Sequence, residues 1–160
     1  LLKAKEAGLH DTTVIGIYIF YNLIYALFAF PAGLLADRIG LKSVFIAGLI
    51  LFAFVYAGMA VNSNVYVFAA LFFVYGVYAA ATEGISKAWI STLVEPKDTA
   101  TAIGNYAGLQ SICAMLASSL TGLIWYTLGS TAAFALTAGV TVLVVVYIVI
   151  GVPATLAVKR

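Results

Sequence analysis

The chain has 160 residues, of which 64% are hydrophobic and only 9% are charged, and its mean hydropathy is +1.12. A soluble domain of this length needs far more polar surface than this composition supplies. The formal net charge of +2 is too small and too scattered to indicate a nucleic-acid-binding surface. The sequence therefore predicts an integral membrane protein, with the lipid bilayer as its surroundings and without a nucleic-acid partner.

The apolar residues fall into five runs of about 20 residues, the length that crosses a bilayer as a helix. We predict spans at residues 13–35, 43–60, 65–89, 99–126 and 131–152. In hydrocarbon a helix satisfies its own backbone hydrogen bonds, and the period-two alternation of a membrane β-barrel is absent. The predicted fold class is all-α, a polytopic bundle of transmembrane helices over residues 13–152.

Lysine and arginine gather at alternate ends of these spans. On one side lie Arg38, Lys42, Lys87, Lys97, Lys159 and Arg160. By the positive-inside rule this side is cytoplasmic. Residues 1–12 then form an external segment, and residues 153–160 form a basic cytoplasmic tail. Because the first span starts outside, we expect another helix before it.

A short charged loop joins the first two spans. It reads GLLADRIGLK over residues 33–42, a very tight turn with a carboxylate, two cations and two glycines. Gly33 allows close helix approach, and Gly40 suits a turn position with positive φ. Asp37 can accept hydrogen bonds from backbone N–H groups at a helix start, or pair with a nearby cation.

This string resembles the signature loop of the major facilitator superfamily. The matching positions are Gly33, Leu35, Asp37, Arg38, Gly40 and Lys42. Leu41 departs from the pattern, because a cation is usual there. In the family the motif lies between helices 2 and 3, with a second copy between helices 8 and 9. Residues 83–88 and 96–104 also resemble helices 10 and 11 of bacterial members.

Three features favour the second copy of the motif. Residues 65–81 lack the membrane-embedded arginine that many members carry in helix 4. Residues 104–125 lack the Gly-Pro motif that exporters often show in helix 5. The chain also ends soon after its fifth span with basic residues, as is typical after helix 12. The resemblance thus implies helices 8–12, the larger part of a C-terminal six-helix bundle, with the N-terminal half of the same protein as partner.

The resemblance implies a secondary active transporter that moves a small solute by alternating access in a bacterial inner (plasma) membrane. Gly33, Asp37, Arg38, Gly40 and Lys42 would then form a cytoplasmic conformational latch. The alternative is a non-transporting multi-span scaffold or assembly protein, which has no evident need for the loop. An enzyme is not expected, because one His, one Cys and six scattered acids offer no catalytic set or metal site. No cofactor is predicted.

The family architecture places helices 9 and 12 outermost against lipid, and helices 8, 10 and 11 along the cavity or between the halves. Spans two and five are accordingly almost wholly apolar, whereas the others carry polar sectors. The candidate cavity residues are Tyr18, Asn22, Tyr25, Tyr75, Tyr78 and Asn105. A plainer interpretation of the first-span sector, interhelical hydrogen bonding or an interfacial aromatic belt, stays open. Small residues between Gly104 and Gly122, and every fourth residue from Gly76 to Ala88, indicate helix packing.

Glu83 is the one carboxylate inside a predicted span, and Lys87 follows it at i+4. This spacing allows an intrahelical ion pair, with the lysine stem reaching toward the interface. An intramembrane carboxylate is also a frequent functional group. Glu83 and Lys87 are therefore either a structural pair or a candidate proton site and gate on the cytoplasmic side.

Overall fold

A computed structural model describes residues 10–61 and 64–152. The helices in chain order are α1 (Asp11–Ile39), α2 (Leu41–Val61), α3 (Val65–Leu93), α4 (Thr99–Leu128) and α5 (Ser130–Gly151), with a 3-10 turn (Pro96–Asp98) before α4. All five are long and apolar enough to cross a membrane, and no described residue lies in a strand. The predicted all-α fold with five spans is confirmed. Residues 1–9 of the predicted external segment and the whole predicted tail, 153–160, lie outside the described residues.

The signature loop is shorter than the sequence suggests. We expected the first span to end near residue 35, but α1 continues to Ile39 and α2 begins at Leu41. Asp37 and Arg38 therefore lie in the last turn of a helix, where a cation is favourable because carbonyl groups are exposed at the helix C-terminus. A helix can extend past the apolar run because the headgroup region still favours an internally hydrogen-bonded backbone.

Single glycines connect two pairs of helices. Gly40 joins α1 to α2 with φ 93, and Gly129 joins α4 to α5 with φ 87. Their N–H groups donate to the carbonyls of Ala36 and Trp125, at 2.9 and 3.0 Å. A residue with a Cβ is strained at such φ values, so glycine permits each reversal within one residue. The positive φ predicted for Gly40 is present.

Helices α2 and α3 lie at the centre of the described bundle. Helix α3 packs against α1 and α2, and α2 packs also against α5. The larger buried cluster comprises Ile17, Val55, Met59, Phe68, Leu71 and Phe72. The smaller cluster, nearer Gly40, comprises Ala36, Val44, Ala81 and Ile85.

Span two was predicted to lie outermost against lipid, and α2 has one buried and one exposed face in the described bundle. One face of α2 is buried, and the fully buried Val55 (0% exposed) lies on it. The other face presents Ile50 and Phe54, at 53% and 63% exposed, as a lipid-facing helix would. An apolar helix can pack on either side, so its composition did not reveal the buried face.

Backbones approach closely at two glycines of the central helices. A Cβ on Gly76 in α3 would lie 2.8 Å from the Ile24 Cβ and 3.0 Å from the Tyr21 carbonyl oxygen, both in α1. A Cβ on Gly48 in α2 would lie 2.7 Å from the Thr82 side chain. Small residues thus allow tight packing at membrane depth, where apolar burial alone gives no association. The packing predicted for the small residues of α3 is present at Gly76.

Helix α4 differs from the others. None of its residues is buried within the described bundle, and it contacts mainly α5. No described atom outside its own turn lies within 4 Å of a Cβ built on Gly104, Gly108 or Gly122. The helix packing predicted for this stripe is therefore not formed among the helices that the structure describes.

Candidate functional site

A cavity of about 510 Å³ lies between α1, α2, α3 and α5. Its lining consists of Tyr18, Tyr21, Asn22, Tyr25, Tyr56, Met59, Phe68, Phe72, Tyr75, Glu83 and Phe134. Most of these residues lie in the half of the bundle that is remote from Gly40. Glu83 marks the inner end of the cavity, because it lies past the midpoint of α3 by roughly 6 Å at 1.5 Å per residue.

Four of the predicted cavity residues line this space together: Tyr18, Asn22, Tyr25 and Tyr75. Tyr78 does not line it, although its ring centroid lies 5.3 Å from that of Tyr75. Asn105 is exposed on α4, a helix that contributes no residue to the cavity. The structure therefore brings together the tyrosine-rich sectors of α1 and α3 and leaves Asn105 apart.

Tyr75 is the centre of an aromatic cluster that joins three helices. Its ring centroid lies 5.2 Å from that of Tyr21 in α1 and 6.4 Å from that of Tyr56 in α2. Phe72, one turn earlier in α3, lies 6.2 Å away in an edge-to-face arrangement. Such spacings are favourable for aromatic pairs. The cavity wall is thus a set of packed rings that hold one another in position.

Seven of the eleven lining residues carry a polar group: five tyrosine hydroxyls, one amide and one carboxylate. The Asn22 amide nitrogen donates to the Tyr18 carbonyl of its own helix at 2.8 Å. The hydroxyls of Tyr56 and Tyr75 lie near each other. The Tyr25 hydroxyl lies near the Glu83 carboxylate. The last contact joins α1 to α3 at the inner end of the cavity.

The intrahelical ion pair allowed by the spacing of Glu83 and Lys87 is not formed. Among the described residues, Lys87 makes no ion pair with Glu83, whereas Lys97 pairs with Glu95 at 2.9 Å in the exposed turn before α4. Glu83 lies instead beside Tyr25 and lines the cavity. An i+4 spacing permits a pair but does not require one.

Several cavity residues were not selected from the sequence: Tyr21, Tyr56, Met59, Phe68, Phe72 and Phe134. Tyr21 lies on the same helical face as Tyr18 and Tyr25, and this shared face could have been used to predict that it lines the cavity. Tyr56 lies near the end of the apolar α2 that is remote from Gly40, where a lone hydroxyl could have marked a buried face. The other four are apolar residues in apolar helices, and no pattern distinguishes them.

The signature loop lies at the opposite end of the bundle from the aromatic cluster. Asp37 and Arg38 are exposed there, and neither forms an ion pair with any residue in the described part of the chain. The Lys42 ammonium group donates a hydrogen bond to the Val152 carbonyl, just past α5. Nothing lies within 4 Å of a Cβ on Gly33 among the described atoms. The loop is therefore attached to α5 through Lys42, while its carboxylate stays accessible.

The residues that the structure describes include no group of three or more His, Cys, Asp and Glu side chains able to hold a metal ion. Cys113 is a free, exposed thiol on α4. The chemical character of the cavity comes from aromatic rings, hydroxyls, one amide and one carboxylate.

Comparisons with known proteins agree with this architecture. The family model described as Major Facilitator Superfamily matches residues 2–159. The chain is 36% identical over 111 residues to an uncharacterised MFS-type transporter of Methanocaldococcus jannaschii, an alignment that covers 69% of this chain and 28% of that relative. No solved structure gives a significant match. Because the family model covers almost the whole chain, and five membrane-length helices accompany it, the chain belongs to the major facilitator superfamily.

Proposed function

We propose that the chain forms helices 8–12 of a twelve-helix secondary active transporter, which moves a small solute across the plasma membrane by alternating access. The cavity carries this proposal, because it places tyrosine hydroxyls, an amide and a carboxylate inside helices with apolar outer faces. Polar groups at membrane depth are costly and usually serve a substrate or ion pathway. Family membership and the printed name of the archaeal relative support transport.

The proposed orientation has the loop end of the bundle in the cytoplasm. Arg38 and Lys42 are at this end, and the contact of Lys42 with Val152 brings the end of α5 to the same side. By the positive-inside rule a basic end faces the cytoplasm. The aromatic part of the cavity then lies toward the external side.

We assign the latch role mainly to Asp37 and Arg38. Both are exposed at the end of α1, and both are available to the N-terminal half of the transporter. Lys42 has a different task, since its hydrogen bond to Val152 fixes the loop to α5. The Lys42 contact matters for a latch, because it ties the loop to α5. A change in the contacts of Asp37 can then be transmitted to α5 as well as to α1 and α2.

The complete reading frame provides the test. In a cysteine-free background, with Cys113 replaced, Asn22→Cys places a reporter thiol on the cavity wall. A membrane-impermeant maleimide is applied to right-side-out and to inverted vesicles. Alternating access predicts labelling from both sides, and Asp37→Asn should change the ratio of the two labelling rates about fivefold or more, as is typical of conformational coupling.

The matched control is Asp98→Asn, which removes an exposed carboxylate outside the loop. It should leave the labelling ratio unchanged. Labelling from one side only, in every variant, would support the non-transporting scaffold instead.

Glu83 and Lys87 stay the proposed proton or gate residues. Both residues are exposed, but Glu83 has the stronger support, because it lines the cavity and Lys87 does not. Once a transported solute is known, Glu83→Gln should abolish proton-coupled uptake, and Lys87→Gln should retain most of it. Full coupling in the Glu83 variant would remove the proton role.

A further inference from the structure

The structure assigns an organic cation to this cavity, an amine or quaternary ammonium group carried on an apolar body. This inference rests on the proposed function, because it names the substrate class of the same site. It follows from two features of the described cavity wall: the sign of its charge and its aromatic rings.

The charge of the described cavity wall is negative. Glu83 lines the cavity, and no lysine, arginine or histidine is part of the described lining. Two other cations are occupied, since Lys42 is bonded to Val152 and Lys97 to Glu95. Lys87 lies on the loop side of Glu83 and makes no ion pair with it in the described chain. Glu83 is exposed in the described bundle, so its carboxylate would repel an anion entering the cavity and attract a cation.

The aromatic rings of the cavity wall also attract a cation. A cation within about 6 Å of an aromatic centroid is attracted by the negative face of the ring, most strongly where water is excluded. Tyr21 and Tyr56 lie within 5.2 and 6.4 Å of Tyr75. These rings pack against one another, and Tyr18 and Tyr25 line the same cavity. A small cation in the cavity can therefore contact the free parts of more than one ring, with the Glu83 carboxylate on the same wall.

Phenylalanine rings complete the described cavity wall. Phe68, Phe72 and Phe134 make parts of it apolar. An apolar body bearing one positive charge suits such a wall, because the body can contact the rings while the charge approaches the Glu83 carboxylate.

The first test needs no variant. The protein encoded by the complete reading frame is purified into nanodiscs, and equilibrium dialysis compares benzyltrimethylammonium with phenylmethanesulfonate, ions of similar size and opposite charge. Empty nanodiscs correct for partitioning into lipid. We expect the cation to bind at least about tenfold more tightly, a difference of one charge-assisted contact. Equal affinity, or preference for the sulfonate, overturns the assignment.

Variants then separate charge from ring. Glu83→Gln should weaken cation binding about tenfold while Glu95→Gln, on an exposed carboxylate, leaves it unchanged. Tyr75→Leu should weaken it about threefold to thirtyfold, whereas Tyr75→Phe retains the ring and should stay within about twofold. Cation affinity that is unaffected by Glu83→Gln, or equally reduced by Tyr75→Phe and Tyr75→Leu, contradicts the inference. Melting curves identify any variant that fails to fold, in which case the comparison of the two ions decides.

The two levels of proposal fail in different ways. Suppose that the Asn22→Cys reporter is labelled from both sides but the protein binds the sulfonate more tightly. Alternating access is then supported, and the assignment of an organic cation is refuted. Suppose instead that the protein binds the cation through Glu83 and Tyr75 but the reporter is labelled from one side only. The cation site is then supported, and the proposal of transport is refuted.

Discussion

Helices α3 and α4 are nearly equal in length, 29 and 30 residues, yet they occupy opposite extremes of packing. Helix α3 packs closely against α1 and α2 and supplies four residues to the cavity wall. Helix α4 has no buried residue in the described bundle and supplies none to the cavity. Both carry small residues at helical spacing.

This difference shows that a stripe of small residues produces close helix packing only where a neighbouring helix has a complementary surface. At Gly76 the backbone and Ile24 of α1 occupy the space that a Cβ would take. At Gly108 of α4 that space is open among the described atoms. Glycine permits close approach, but shape complementarity of the neighbour decides whether the approach happens. Four substitutions test this comparison, from the largest expected effect to the smallest.

Gly76→Ala should cause the largest loss of stability, about 3 kcal/mol, because its Cβ would contact a backbone carbonyl that cannot rotate away. The measurement is the free energy of unfolding in mixed micelles. Gly84→Ala is the matched control, since nothing described lies within 4 Å of a Cβ there on the same helix. Similar losses in both variants would show that close α1–α3 packing is not what Gly76 provides.

Gly40→Ala should cost about 2 kcal/mol, because a φ of 93 is strained for any residue with a Cβ. Gly129→Ala introduces the same strain beside α4, at φ 87, and should cost only about half as much. A loosely held helix can shift to relieve strain, whereas α1 and α2 are fixed by α3. Equal losses of unfolding free energy in the two variants would contradict this account of α4.

Lys42→Met should destabilise the protein by about 1 kcal/mol, because it removes a charge-assisted hydrogen bond at the end of α5. Hydrogen exchange should speed up in the last turn of α5 while α3 stays protected. Lys97→Met removes an exposed ion pair and should change stability by less than about 0.5 kcal/mol. Unchanged exchange at the end of α5 would show that Lys42 does not anchor the loop.

Gly108→Ala should be the only one of the four that does not destabilise a bundle packed as described. It should stabilise it by up to about 1 kcal/mol, because alanine favours the helix and no described neighbour would be displaced. This variant also sharpens the proposal of a larger transporter. If α4 packs against helices of the N-terminal half through its small stripe, the loss in the complete protein approaches that of Gly76→Ala. The measurement is the free energy of unfolding of the complete protein.

Sequence reasoning succeeded where a residue type has few structural alternatives. The tyrosines of α1 were selected because hydroxyl groups avoid lipid, and three selected residues of that sector do line the cavity: Tyr18, Asn22 and Tyr25. Asn105 was selected for the same reason and lies outside the cavity, because α4 does not reach it. A polar residue shows that a face needs a partner without showing which partner.

The sequence by itself determined the five membrane helices, the family and the glycine turn at residue 40, because length, hydropathy and backbone sterics are local properties. The tertiary structure alone decided that Tyr56 and Phe134 face the cavity, that Glu83 lies beside Tyr25, and that α4 stands at the edge. The physical reason is that an apolar helix has no preferred face in its composition. Its rotation is set by the close packing of neighbours, and such packing exists only in the assembled bundle.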